Sequence, residues 1–285
     1  MDRCLDGIDW NDVWKAKKAR NRALKKGHEP DKHWEDIREA RRYAEEADAE
    51  YQKRIHDELA ILPLTPQSRI LDIGAGPGPL SLPLAKKAAH VMAIEPATGM
   101  VTVLAERIEK AGLSNVSWVQ KRWEDIDPDI DLSPPYDLVI ASFSLVMDDI
   151  QAAIEKVHHV VQGSVYLFDF IDGPLWEQLA CDIWSDLHGE PYSPGPKADC
   201  LWNVLYQMGI YANVLVRPIW KSYRFADVTA AAEFFSRRFG ADEDSQKETL
   251  KRYLSGKNMA GNGSFYLRGE AYYATIWYEY PQRLP

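Results

Sequence analysis

The chain has 285 residues, is 46% hydrophobic and carries a formal net charge of −9. Enough apolar side chain is present to bury one large core, or a domain with additions, while the acidic balance argues against tight binding to bare nucleic acid. Cys4, Cys181 and Cys200 lack the spacing of a disulfide framework or a zinc site, "MDRCLDGIDW" has no basic-then-apolar leader pattern, and no apolar stretch is long enough to span a bilayer, so a cytoplasmic protein without membrane association is expected.

Residues 1 to about 30 are polar and rich in Trp and Lys. Lys15, Lys17, Lys18, Arg20, Arg22, Lys25 and Lys26 form a basic run flanked by Trp10, Trp14 and Trp34. Two readings compete: a solvated face whose tryptophans pack the segment onto the domain, or a grip on an anionic substrate or acidic partner. "HWEDIREARRYAEEADAEYQKRIHDELAIL" then reads as one long helix. Trp34, Ile37, Ala40, Ala44, Ala47, Tyr51, Ile55 and Leu59 form its apolar stripe, at spacings of three and four. "PLTPQS" ends it, which puts an N-terminal helical extension or lid at 1–62 and the main domain at 63–285.

From Arg69 the pattern changes. "RILDI", "HVMAIEP", "VSWVQ", "YDLVIAS" and "SVYLFDF" read as five short buried strands. Helical segments fall between them at about 80–88, 98–111 and 148–161. Apolar strands that alternate with helices and lack polar alternation imply a parallel sheet covered on both faces. After Phe170 the alternation breaks into a helical insertion at about 171–210. A strand ("ANVLVRPIWKSYRF"), two helices ("VTAAAEFFSRRF" and "DEDSQKETLKRYL") and a closing strand ("EAYYATIWYEY") follow.

The segment "RILDIGAGPGPLSLPLA" carries most of the chemistry. A strand ends at Ile73 and a helix begins near Leu80, with Gly74, Gly76 and Gly78 between. Glycines there let the backbone turn sharply and approach a ligand, and the N–H groups of a helix start face it. A dinucleotide site of the NAD-dehydrogenase type wants a third glycine where this chain has Pro79. The spacing Asp72-x-Gly74-x-Gly76-x-Gly78 instead resembles the first motif of class I S-adenosylmethionine-dependent methyltransferases. Glu95 closes the second strand about twenty residues on, where an acid can accept from both ribose hydroxyls. "EPATGM" resembles that family's second motif, which implies Pro96 and Met100 near the adenine. "RWED" falls where the family's third strand hands over to an adenine-holding loop. Trp123 and Glu124 are then implied beside the ring, through the Trp123 backbone or a stacked indole, and Arg122 stands where many members have an acid.

The resemblance implies a seven-stranded, mostly parallel sheet with helices on both faces, whose sixth and seventh strands are antiparallel. It implies S-adenosyl-L-methionine as cofactor, held by Asp72, Gly74, Ala75, Gly76, Gly78, Glu95, Pro96, Met100, Trp123, Glu124 and Ser142. Methyl transfer from a sulfonium is an in-line displacement that needs a general base only when the nucleophile must lose a proton. Asp169, His188 and Tyr192 are the candidates for acting on the acceptor, with Asp172 beside them. Ser142, Phe143 and Ser144 are candidate lining, Ser144 also reading as a satisfied hydroxyl at a helix start. His158 and His159 read as structural, and no metal site is expected. A helical roof over the strand ends favours a small-molecule acceptor. Methylation of a protein side chain and a non-catalytic S-adenosylmethionine-binding regulator remain as alternatives, and the oligomeric state is left open.

Overall fold

The computed structural model describes residues 7–24, 32–257 and 264–281. Cys4, Lys25 and Lys26 lie outside the described residues. One seven-stranded sheet organises the chain, in the order β3-β2-β1-β4-β5-β7-β6. The first five strands are β1 (Arg69–Ile73), β2 (His90–Ile94), β3 (Val116–Val119), β4 (Tyr136–Ser142) and β5 (Val161–Phe170). They run parallel, with Asp72 opposite Ala93 on one side and Ile140 on the other. β6 (Asn213–Phe225) and β7 (Phe265–Glu279) complete it. β7 is antiparallel to both β5 and β6, so β6 runs with the parallel strands and β7 alone is reversed. Strand order reverses between β1 and β4, where open α/β sheets hold ligands at the carboxyl ends of their strands.

Alternate strand residues serve opposite faces. Ile70, Leu138, Ile140 and Phe168 pack against α4 (Gln52–Ile61), α5 (Ser81–Ala85) and α6 (Thr98–Ala111). Leu71, Val139, Val165 and Leu167 pack against α1 (Trp10–Leu24), α8 (Ile150–Val160) and α10 (Ala198–Gln207). Beyond the sheet, α9 (Leu175–His188), α11 (Val228–Phe239) and α12 (Asp244–Ser255) form a third apolar cluster with Phe225, Phe265 and Leu267, from the far ends of β6 and β7. A short α7 spans Pro128–Asp131.

Several expectations need correction. The single long helix is three: α2 (Lys32–Glu35), α3 (Ile37–Glu50) and α4. Asp36 leaves helical geometry and caps α3 by accepting from the Arg38 N–H, and Tyr51 (φ −99°, ψ 7°) breaks the chain again. The polar N-terminus contains a helix, α1. Trp14 is its anchor, fully buried, its Nε1 donating to the Met147 carbonyl. Lys15 and Arg22 of the basic run pair with Asp149 and Asp148. The insertion does not act as one roof. α10 covers a sheet face, whereas α9 joins the cluster beyond the sheet.

Candidate active site

A cavity of about 410 Å³ opens at the carboxyl ends of β1, β2, β4 and β5. Its floor is the glycine turn. Gly74, Gly76 and Gly78 all adopt positive φ (72°, 56° and 81°), where a side chain is strained. The glycines differ in what surrounds them. A Cβ on Gly76 would meet nothing within 4 Å, so open space lies over that turn. One on Gly74 would strike the Ser144 side chain, and one on Gly78 the Leu82 and Leu104 methyls. Gly78 therefore fits α5 and α6 together and does not face the cavity.

Glu95 is 7% exposed. Its Oε2 accepts from the Gly76 N–H at 2.9 Å and its Oε1 from the Ala97 N–H at 3.0 Å. One carboxylate thus ties the glycine turn to the start of α6. Asp72 lies beneath the loop, 2% exposed, accepting from Ser81 Oγ at 2.5 Å. Burial pushes its carboxyl up to about 7, against the pull of that hydrogen bond, with the Glu95 and Glu58 charges adding to the rise.

Of the residues expected at the cofactor, Gly74, Gly76, Glu95, Pro96, Met100, Trp123, Glu124 and Ser142 line the cavity. Asp72, Ala75 and Gly78 do not; they shape the turn from below. Of the two alternatives for Trp123, its backbone or a stacked indole, the placement of the ring speaks against the second. Its ring is 3% exposed within the core, its Nε1 donating to the Ala153 carbonyl at 3.1 Å. Arg122 reaches the cavity wall. The helix starts where expected, with Leu80 as its N-cap and α5 beginning at Ser81, but it ends at Ala85, short of the expected 88.

The acceptor candidates fare differently. His188 donates to or accepts from nothing in the cavity; its Nε2 lies 3.0 Å from the Phe239 carbonyl and its ring packs on Trp184. Tyr192 also packs on Trp184, its hydroxyl accepting from Asn21 Nδ2. Asp169 shares the sheet face of Leu167, whereas its neighbour Phe170 lines the cavity. Its carboxyl accepts from the Phe170 N–H, and enclosure pushes it up to about 7. Asp172 accepts from the Tyr272 N–H. None of the four lines the cavity. Ser144 Oγ donates to the Ile73 carbonyl and so closes the β1 end, not a helix start. His158 packs between Tyr278 and Tyr280, a structural placement.

Sequence reasoning missed the outer half of the cavity. Tyr43, Tyr51 and Arg54 come from the N-terminal helices, and Trp176, Lys221, Tyr223 and Phe234 from the segments after β5. Phe143, at φ 56° the one non-glycine residue with positive φ among those described, turns its ring onto Phe170 and Tyr273. Strain of this kind persists where the surroundings enforce it. Beneath it lies a buried ion pair. Arg54 Nη1 donates to Glu58 Oε1 at 2.9 Å, and Ser142 Oγ bridges them, accepting from Arg54 and donating to Glu58 Oε2. Burial drives the Glu58 carboxyl up, countered by the Arg54 charge.

The roof is seated by a signal the sequence does contain. A Cβ on Gly99 would lie 2.6 Å from the Trp34 carbonyl and 2.8 Å from that of Glu35, so this glycine lets the α2–α3 corner rest on α6. Glu35 in turn accepts from the Thr98 N–H.

Comparison with known proteins agrees with this geometry. Residues 70–163 match the model of a methyltransferase domain. An uncharacterised protein of Haemophilus influenzae is 29% identical over 73% of this chain and 75% of its own length. A 23S rRNA (uracil(1939)-C(5))-methyltransferase of Pectobacterium carotovorum is 40% identical over 27% of this chain and 17% of its own. A ubiquinone biosynthesis O-methyltransferase of Azorhizobium caulinodans is 32% identical over 39% of this chain and 38% of its own. A Bacillus halodurans protein designated a methyltransferase shares the fold, with a TM-score of 0.56, 13% identity and coverage of 80% of this chain and 99% of that one. The motif, the strand order and the matched domain agree: the chain carries a methyltransferase domain of the S-adenosylmethionine-dependent kind over residues 70–163.

Proposed function

We propose that the chain transfers the methyl group of S-adenosylmethionine to a small molecule enclosed under the N-terminal helices. The observation that carries this reading is the depth of the cavity wall: the strand ends form its floor, while α2–α4, the start of α9, β6 and α11 line its sides. The cofactor supplies a methyl group activated on a sulfonium. Gly74 and Gly76 present backbone to it, Glu95 accepts from its ribose hydroxyls, and Met100 and the Trp123 backbone border the adenine. Each Glu95 oxygen accepts one backbone N–H, and a carboxylate oxygen has two lone pairs with which to accept.

The acceptor takes the aromatic half, bordered by Tyr43, Tyr51, Phe143, Phe170 and Tyr223. Those walls hold it in line and exclude water. The rRNA and ubiquinone-pathway relatives match only part of this chain, so their acceptors are not carried over. A net charge of −9 also runs against an RNA partner.

The test is a two-step assay. Calorimetric titration with S-adenosylhomocysteine establishes the cofactor site, with binding in the micromolar range expected. Label from methyl-tritiated S-adenosylmethionine is then followed into a cell extract separated by size. Transfer into the low-molecular-weight fraction supports the proposal; transfer only into RNA or protein refutes it.

A further inference from the structure

Resting on that reading, we infer that the acceptor is a flat molecule carrying an oxyanion, seated with its charge against Arg238 and Arg42. Charge pairing on the outer cavity wall leads to this. Arg42, Arg54, Lys221 and Arg238 all line it, together with His33, and Glu46 is the acid among them. Three of the cations are matched: Arg42 by Glu39, Arg54 by Glu58 and Lys221 by Glu46. Arg238 has no carboxylate within ion-pair distance among the described residues. Its guanidinium lies over the Trp176 ring, 4.3 Å from the centroid, as that of Arg42 lies over Phe234 at 4.6 Å.

An arginine whose guanidinium lies over an aromatic ring keeps its charge and its outer N–H groups for a further partner. The Nε of Arg238 and the Nε of Arg42 are both buried without a hydrogen-bond acceptor among the described residues. Arg238, which lines the cavity without a carboxylate partner, and its neighbour Arg42, whose Nη2 pairs with Glu39 while its Nε has no acceptor, place uncompensated positive charge at one end of the cavity, and a carboxylate or phosphate would supply several acceptor oxygens to it at once. His33 stands in the same group. Burial lowers its pKa first, and the nearby Arg238 and Arg42 charges lower it further, against the Glu39 carboxylate. It is therefore a neutral neighbour, not a competing cation. The aromatic sides of the cavity suit a planar body.

The probes are 2-naphthoate and 1-naphthyl phosphate, with 2-naphthamide and 2-naphthylmethylammonium as the neutral and cationic controls. Each is titrated calorimetrically into the full chain saturated with S-adenosylhomocysteine. At least one anion should bind about tenfold or more tightly than the neutral amide, the cation should bind worst, and whichever anion binds better identifies the oxyanion. Arg238→Gln should abolish the preference and Arg238→Lys restore part of it, with S-adenosylhomocysteine affinity unchanged in both. Unchanged cofactor binding also shows that each variant is folded. Equal or tighter binding of the neutral or cationic probe, binding of none of the four, or a preference that survives Arg238→Gln would each overturn the inference. Loss of cofactor binding in the unaltered chain would instead sink the methyltransferase reading beneath it.

Discussion

Glu95→Ala tests whether the carboxylate at the end of β2 is a ligand or only a staple. In the folded chain it receives two backbone hydrogen bonds, from Gly76 and Ala97. Bonds to a charged acceptor are worth about 1.5–3 kcal/mol each. Alanine removes both and also relieves the cost of burying the charge, so the lower bound applies and the loss of stability is about 3 kcal/mol. If the same oxygens accept from two ribose hydroxyls, binding loses a further ~3 kcal/mol, which is about a hundredfold in Kd. Urea denaturation without ligand reads the first effect, and calorimetric titration with S-adenosylhomocysteine, at a temperature where the variant is folded, reads the second. Glu95→Gln separates them further, since it retains a carbonyl for one N–H but turns an amide N–H₂ toward the other. A destabilised Glu95→Ala variant that binds within about threefold of the parent (~0.7 kcal/mol) would refute the ribose role and leave Glu95 as a loop staple.

The three glycine substitutions should fail in different ways. Gly76→Val meets open space, so it costs about 1–2 kcal/mol of backbone strain but blocks the cofactor; calorimetry should show binding lost from a folded protein. Gly78→Ala adds overpacking against Leu82 and Leu104 to the same strain, about 2–4 kcal/mol in all, with cofactor affinity little changed once folded. Gly99→Ala presses on main-chain carbonyls that cannot swing aside, so the α2–α3 corner should lift, seen as faster amide exchange over residues 37–50. For Asp72, the folded pKa of about 7 exceeds the ordinary 3.8, so the folded chain binds this proton more tightly; its stabilising contribution is full below about pH 4 and lost as pH rises through 7. Asp72→Asn keeps an acceptor for Ser81, and denaturation across pH should show a flatter profile and a variant more stable than the parent above pH 7. Either Arg54→Met or Glu58→Leu alone leaves an unpaired buried charge, at about 3–5 kcal/mol, whereas the double variant should lose less than either; a simple sum of the two would contradict the account.

The glycine turn and its flanking elements were legible because they are local. Residues 69–100 hold a strand, a turn, a second strand and a helix start in one run, and the glycine spacing reports backbone geometry directly. The predicted β4 (136–142) and α6 (98–111) match the observed elements residue for residue. The outer half of the cavity was not legible because its wall brings together residues near 33–54 with others near 174–271, and no periodicity records which distant elements meet. His188 and Tyr192 looked chemical in a loop, yet both complete the packing around Trp184. The long-helix reading failed for a related reason. Its apolar stripe is real and continuous, but Asp36 and Tyr51 bend the chain so that the stripe covers two surfaces, α6 and then the sheet. Gly99 was the available clue, a glycine one residue into α6 with no turn to explain it.

The N-terminal helices are attached to the domain by different contacts on their two sides. Toward the cofactor side they rest on close backbone contact at Gly99 and on the surface pairs Arg41–Glu106 and Arg107–Asp48. Toward the acceptor side they are held by Lys221 on β6, which reaches Glu46 at 2.6 Å and Glu50 at 3.7 Å, and by Ser222 donating to Glu50. The two attachments are not equivalent. Arg41 and Glu106 are about half exposed, and exposed pairs of that kind contribute about 1 kcal/mol or less. The Lys221 side chain is 13% exposed, so parting it from Glu46 and Glu50 strands a largely buried ammonium and costs more. The hold on α3 from β6 is therefore the stronger of the two sets of ion pairs, and on the other side it is the close main-chain contact at Gly99, not the surface pairs, that fixes the α2–α3 corner.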